Sequence, residues 1–210
     1  MVTSQLLYGG FLLALGGERL AELLLSRRNA RRALARGAVE LGRPHFVAMA
    51  ILHAAFLPAC LLEVVLLSRA FPGALGYAAL AVALLAQGMR YWAIATLGER
   101  WNVRIIVLPD APPVTSGPYR FIRHPNYVAV VAEMLAVPLI HGAWLTAAVF
   151  SALNAIVLTV RIRAEEAALG TRYAELLGRL PRFVPGGRAR PRRPPEPAAP
   201  LAEQTGEPLG

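Results

Sequence analysis

Two polar clusters in a largely apolar chain of 210 residues carry residue types suited to chemistry. The first is Val114-Thr115-Ser116-Gly117-Pro118-Tyr119-Arg120-Phe121-Ile122-Arg123-His124-Pro125-Asn126-Tyr127, which leads into an apolar run. Pro125 suits the first turn of a helix, where its missing N–H costs nothing. Amides at such a helix start could hold a carboxylate or phosphate. A plain loop approaching a membrane, with interfacial Tyr and Arg anchors, has the same composition. The second cluster is Arg161-Ile162-Arg163-Ala164-Glu165-Glu166. Arg161 and Glu165 are i,i+4 and share a helix face. Taken alone, that pair reads as a surface salt bridge worth about 0.3–0.5 kcal/mol.

The segments that must position these residues are mostly hydrophobic. The chain is 56% hydrophobic and 17% charged, against about 45–50% and about 25% in a soluble domain. That excludes a disordered chain and disfavours a water-soluble enzyme. Apolar runs at 2–25, 45–67, 73–97, 126–141 and 144–160 predict about five transmembrane helices in an all-α integral membrane fold. About 20 residues at 1.5 Å each cross a core of about 30 Å. The fourth run is short, so the 126–160 hairpin is expected to tilt or to sit partly within protein. Its tight turn at His141-Gly142-Ala143 brings His124 and Tyr127 to the same membrane surface as Arg161 and Glu165. A charged helix over about 161–179 follows. Residues 1–186 are read as one membrane domain and 187–210, rich in Pro and Arg, as a disordered tail.

The net charge of +9 comes from 22 basic residues, all Arg. Six lie in 26–44, four in 98–125 and nine in 161–210. With five spans these segments share one side, which puts the N-terminus out and the C-terminus in the cytoplasm. The charge then needs no nucleic acid. No basic residue precedes Arg19, so the first apolar run lacks the positive start of a signal peptide.

The combination of Gly117-Pro118-Tyr119, Arg123-His124-Pro125-Asn126-Tyr127 and Arg161 with Glu165-Glu166 resembles the C-terminal core of the isoprenylcysteine carboxyl methyltransferase family. The specific likeness covers about 90–180. Arg27-Arg28-Asn29-Ala30-Arg31, Gly37 to Gly42, His45, His53, Arg90-Tyr91-Trp92 and Leu97 to Trp101 resemble a bacterial branch, some of whose members methylate long-chain alkylpyrones or alkylresorcinols. The resemblance implies a membrane O-methyltransferase that uses S-adenosylmethionine in a cytoplasmic C-terminal site. Pro113, Val114, Tyr119, His124, Pro125, Asn126, Tyr127 and Glu165 would bind the cofactor, and Arg161 would face the substrate anion. Glu165 would pair the cofactor's ammonium, and His124 or helix-start amides its carboxylate. Tyr119 or Tyr127 would stand near the sulfonium. The acceptor would be lipophilic with an acidic oxygen: a polyketide pyrone or resorcinol is preferred, a prenylcysteine carboxylate next. Where eukaryotic members carry Gly after the second Tyr, this chain has Val128 and Ala129. A sterol-type membrane reductase and a non-enzymatic membrane scaffold are the competing classes. The first is normally larger, and the second leaves the convergence of the two clusters unexplained.

The remaining polar residues are read singly. Four scattered His and one Cys suggest no metal site. Cys60 reads as a core residue. Glu133 within the fourth span is either functional or paired with Arg90 or Gln87. Glu63 reads as structural, His45 and His53 as candidates for the wall of a lipid cleft, and Trp92 and Trp101 as interfacial anchors. Membrane lipid is an expected partner; the oligomeric state is not legible.

Overall fold

The computed structural model describes residues 2–109 and 111–185. Its helices are α1 (Val2–Ala35), α2 (Arg43–Leu66), α3 (Ala74–Leu97), α4 (Pro125–Leu139) and α5 (Trp144–Leu177). The proposed tail, 187–210, lies outside the described residues.

α1 runs ten residues beyond its predicted end. Residues 26–35 are mostly Arg, Ala and Leu, strong helix formers, with no Gly or Pro before Gly37. The expected loop at 26–44 is therefore largely helix, and Arg27, Arg28, Arg31 and Arg32 ride on it. At 34 residues the helix is about 50 Å long, well beyond the ~30 Å of a hydrocarbon core. Its inward residues recur every three or four positions. Tyr8 and Leu12 are apolar, while Glu22, Ser26 and Asn29 are polar, and all are buried.

The all-α expectation needs a correction. Val39–Leu41 (β1) and Ile105–Val107 (β2) pair antiparallel, with Val39 opposite Val107 and Leu41 opposite Ile105. Three-residue strands are too short to show an alternating pattern. The predicted separate helix at 161–179 is likewise a continuation of α5. The break comes later, at Gly170, whose φ of 70° and ψ of −165° lie in a region open in practice only to glycine.

Among the described residues, three helical segments are long and apolar enough to cross a membrane: Phe46–Leu66, Ala74–Arg100 and Trp144–Thr171. α4, with 15 residues, reaches only about 22 Å. It is instead embedded in protein: Tyr127, Val130, Glu133, Met134 and Val137 are all buried, and α3 and α5 flank it. The main core joins α1, α2, α3 and α4 around Tyr8, Phe56, Cys60, Ala83, Val130 and Met134. The Tyr8 hydroxyl donates to the Val137 carbonyl at 3.0 Å. Glu63 proves structural: its carboxylate accepts from the Leu145 and Thr146 amides at 3.2 and 2.7 Å and so caps α5 from another helix. Arg69 balances the charge at 2.9 Å.

The turn that delivers Tyr119 depends on Gly117. Its φ is +55°, and an added Cβ would lie 2.3 Å from Thr96 Oγ1 and 2.9 Å from Thr96 Cγ2. Gly117→Ala should therefore lower the melting temperature in detergent by about 5 °C or more, since backbone strain of this kind costs about 1–3 kcal/mol before the clash is added. An unchanged melting curve would show that the loop relaxes freely.

Candidate functional site

One cavity of about 1360 Å³ runs from the start of α4 to the α1–α2 seam. The polar end is bordered by Pro113, Val114, Tyr119, His124, Asn126, Tyr127, Arg161 and Glu165. Pro125 is not on the wall; it is fully buried at the first turn of α4 and sets the angle at which Asn126 and Tyr127 enter. The far end is apolar: Leu12 and Leu13 line it, and Leu61 and Leu57 of α2 approach Gly9 and Gly16 of α1. The β1–β2 ribbon walls the middle through Ile105, Ile106 and Val107, beside Phe46.

Arg161 and Glu165 do not pair directly; Tyr127 stands between them. Arg161 Nε donates to the Tyr127 hydroxyl at 2.8 Å, and that hydroxyl donates to Glu165 Oε2. Arg161 Nη2 donates to the Val103 carbonyl at 2.7 Å. Arg161 is 4% exposed and its guanidinium is held by two partners, yet Nη1 has no partner among the described residues. Asn126 Oδ1 is also buried without a partner. A buried polar atom left unpaired costs about 1–3 kcal/mol. Here an unpaired donor and an unpaired acceptor belong to two residues that line one cavity.

Glu165 sits among three tyrosines. Tyr127 bonds it, and its charge bears on Tyr119 and Tyr173. Burial first, and then the Glu165 carboxylate, push the Tyr119 and Tyr173 phenols above their usual range. Both therefore keep their protons at neutral pH and can act as donors. Tyr173 was missed in the sequence. It lines the cavity with Leu169, Gly170 and Thr171, beyond the break in α5.

Glu166 has a different task. Its carboxylate accepts from Arg123 Nη1 at 2.9 Å, His124 Nε2 at 3.0 Å and Arg182 Nη2 at 2.6 Å. The chain after α5 folds back here. The amides of Arg123 and His124 donate to the carbonyls of Pro181 and Arg182 at 3.0 and 3.1 Å. These two amides, just before the first turn of α4, are thus taken by the returning chain. His124 is held through Nε2 and stacks on Tyr127 with ring centroids 5.2 Å apart.

α1 closes the site from the other side. Ser26 Oγ bonds Asn102 Oδ1 at 2.8 Å and accepts the Val103 amide at 3.1 Å. Asn29 Nδ2 donates to the Gly98 and Trp101 carbonyls. Trp101 is 3% exposed and borders the cavity, so it is not the interfacial anchor expected; Trp92 is exposed. Glu133 pairs with Arg90 in a two-pronged contact at 3.1 and 2.6 Å, and Arg19 joins it at 3.2 Å. The structural alternative for Glu133 is the one observed. His53 lines the cavity. The side chain of His45 lies outside the described part. Among the described residues no cluster of His, Cys, Asp and Glu could hold a metal ion.

Residues 79–171 match the sequence pattern of the isoprenylcysteine carboxyl methyltransferase (ICMT) family. The chain is also similar to the uncharacterized protein YpbQ of Bacillus subtilis (strain 168), at 39% identity over 152 residues, 72% of this chain and 90% of that one. It is 30% identical to an uncharacterized protein of Haemophilus influenzae, again over 152 residues, 72% of this chain and 88% of the relative.

Proposed function

The chain belongs to the isoprenylcysteine carboxyl methyltransferase family, and from that premise we propose that it is a membrane O-methyltransferase that uses S-adenosylmethionine to methylate an acidic oxygen on a lipophilic acceptor. The observation that carries the reading is that two residues lining the cavity, Arg161 and Asn126, each keep a buried polar atom without a partner, Nη1 and Oδ1. One suits the acceptor's anion and the other the cofactor's ammonium. When bound, S-adenosylmethionine supplies a sulfonium methyl that an oxygen nucleophile can take. The groups present fit it. Glu165 and Asn126 Oδ1 offer negative charge and a lone pair to the ammonium. Tyr119 or Tyr127 would stand near the sulfonium. Pro113 and Val114 give backbone and apolar wall. Arg161, locked by Val103 and Tyr127, would hold the acceptor oxygen without having to reorganise. An acceptor already ionised needs no strong general base, so positioning supplies most of the rate.

The apolar end of the cavity supports a lipid tail. Gly9 and Gly16 leave space along α1, and Leu57 and Leu61 face them. A long-chain pyrone or resorcinol is the preferred acceptor, with a prenylcysteine carboxylate second. Membranes given labelled S-adenosylmethionine and each acceptor in turn decide between them. Transfer to the prenylcysteine alone would reverse the preference, and transfer to neither would remove both acceptors.

Five spans, with the N-terminus out and the cofactor site in the cytoplasm, complete the proposal. α1 would cross with its Arg-bearing end in the cytoplasm, and α4 would cross shielded by its neighbours. Reporter fusions at residues 35, 110 and 185 should all read cytoplasmic. A periplasmic signal from any of them would overturn the topology.

A further inference from the structure

The middle of the cavity carries polar side chains that methyl transfer at Arg161 does not use. Arg19, Glu22, His53 and Arg90 all border it. The ionic members satisfy one another: Arg19 Nη1 donates to both oxygens of Glu22 at 2.8 Å, and Arg19 Nη2 donates to Gln87 at 2.9 Å and Glu133 at 3.2 Å. Arg90 holds Glu133. That is a structural tie between α1, α3 and α4. His53, on α2, stands outside it. Its Nδ1 bonds the Met49 carbonyl at 2.8 Å. A carbonyl can only accept, so Nδ1 carries the proton. In the neutral ring Nε2 is then a lone-pair acceptor. It has no hydrogen bond among the described residues.

We propose that His53 forms a second polar subsite in the lipid channel, where Nε2 accepts a hydrogen bond from a second hydroxyl on the head of the acceptor. The inference rests on the methyltransferase reading for its first subsite, Arg161. The spacing follows from α1. Arg161 reaches the Val103 carbonyl, and the Val103 amide reaches Ser26, so Arg161 lies near the level of Ser26. His53 lies near the level of Arg19, with which it shares a second, smaller cavity. Seven residues of helix separate those levels by about 10 Å. A hydrogen bond of about 3 Å at each end leaves at least about 4 Å along that axis between the two acceptor oxygens. Two hydroxyls placed 1,3 on a six-membered ring meet that spacing. The apolar cavity beyond His53, at Leu57 and Leu61, would then take a chain attached to the ring. A head with one oxygen would leave Nε2 unpaired.

The test is a binding comparison on the purified full-length protein, between 5-pentadecylresorcinol and 3-pentadecylphenol, which lacks one hydroxyl. The wild type should bind the diol about ten-fold or more tightly than the monophenol. His53→Leu should erase that preference, and His53→Gln, which keeps an acceptor, should retain part of it. Affinity for S-adenosylhomocysteine should be the same in all three proteins. Equal affinities in the wild type, a preference that survives His53→Leu, or binding of neither lipid would each overturn the subsite. Equal affinities are also the result if water in the smaller cavity, about 40 Å³ in volume, satisfies Nε2 instead. Failure of S-adenosylhomocysteine to bind, with the diol preference intact, would instead sink the cofactor reading and leave the subsite standing.

Discussion

Glu165→Ala should weaken binding of S-adenosylhomocysteine by ten-fold or more, measured by calorimetry on detergent-purified protein. The proposed ammonium partner is a charged hydrogen bond, worth about 1.5–3 kcal/mol. The loss has two sources. The substitution removes the carboxylate, and it also removes the acceptor for the Tyr127 hydroxyl. Tyr127 is 7% exposed, so its O–H would be left buried and free to turn. Glu165→Gln separates the two effects. The amide oxygen still accepts from Tyr127, so the tyrosine stays in place while the charge is gone. If charge is what matters, the Gln protein should bind nearly as poorly as the Ala protein. If it binds like the wild type, Glu165 serves only to place Tyr127. Unchanged affinity in a folded Ala variant would refute the cofactor role outright.

The site was legible in the sequence to the extent that its residues were brought together by short-range rules. Pro125 announces a helix start, and a tight turn at His141-Gly142-Ala143 makes α4 and α5 antiparallel. From these two features alone His124 and Tyr127 come to Arg161 and Glu165. What the spacing could not show was the hydroxyl between them. An i,i+4 pair on a helix suggests a direct salt bridge, and nothing local says that a tyrosine from another helix takes both partners. Glu166 is the same case. It sits next to Glu165, but its partners include Arg182, which arrives by a return of the chain after α5. Charge counting placed 26–44 outside the membrane and therefore suggested a loop; helix propensity, which extends α1 to Ala35, was the better guide to its backbone. The buried polar stripe Glu22, Ser26 and Asn29 was visible at helical spacing. It was obscured because the exposed Arg residues among its neighbours dominate the composition. The β1–β2 ribbon left no pattern at all, since each strand has three residues.

Replacing Arg161 should do the opposite of replacing Glu165, with a large loss of turnover and a small loss of cofactor affinity. Removing one preorganised donor from a developing or bound oxyanion costs about 10²–10³ in rate. Arg161→Ala should fall in that range for transfer to any acceptor the wild type uses, with S-adenosylhomocysteine affinity within a few-fold of normal. The geometry gives the reason for the asymmetry. Arg161 touches the cofactor side only through Tyr127, whereas it lines the cavity itself and its buried Nη1 has no partner of its own. Arg161→Lys gives a sharper reading. The ammonium keeps the charge but cannot serve Val103, Tyr127 and an acceptor in one planar fork. A lysine that restored full turnover would mean that charge alone suffices and that the lock on Val103 and Tyr127 contributes nothing. Partial recovery is expected, since the charge returns without its fixed direction. Equal losses of turnover and cofactor affinity in Arg161→Ala would place the arginine in the cofactor's own site and leave the acceptor oxygen to some other donor.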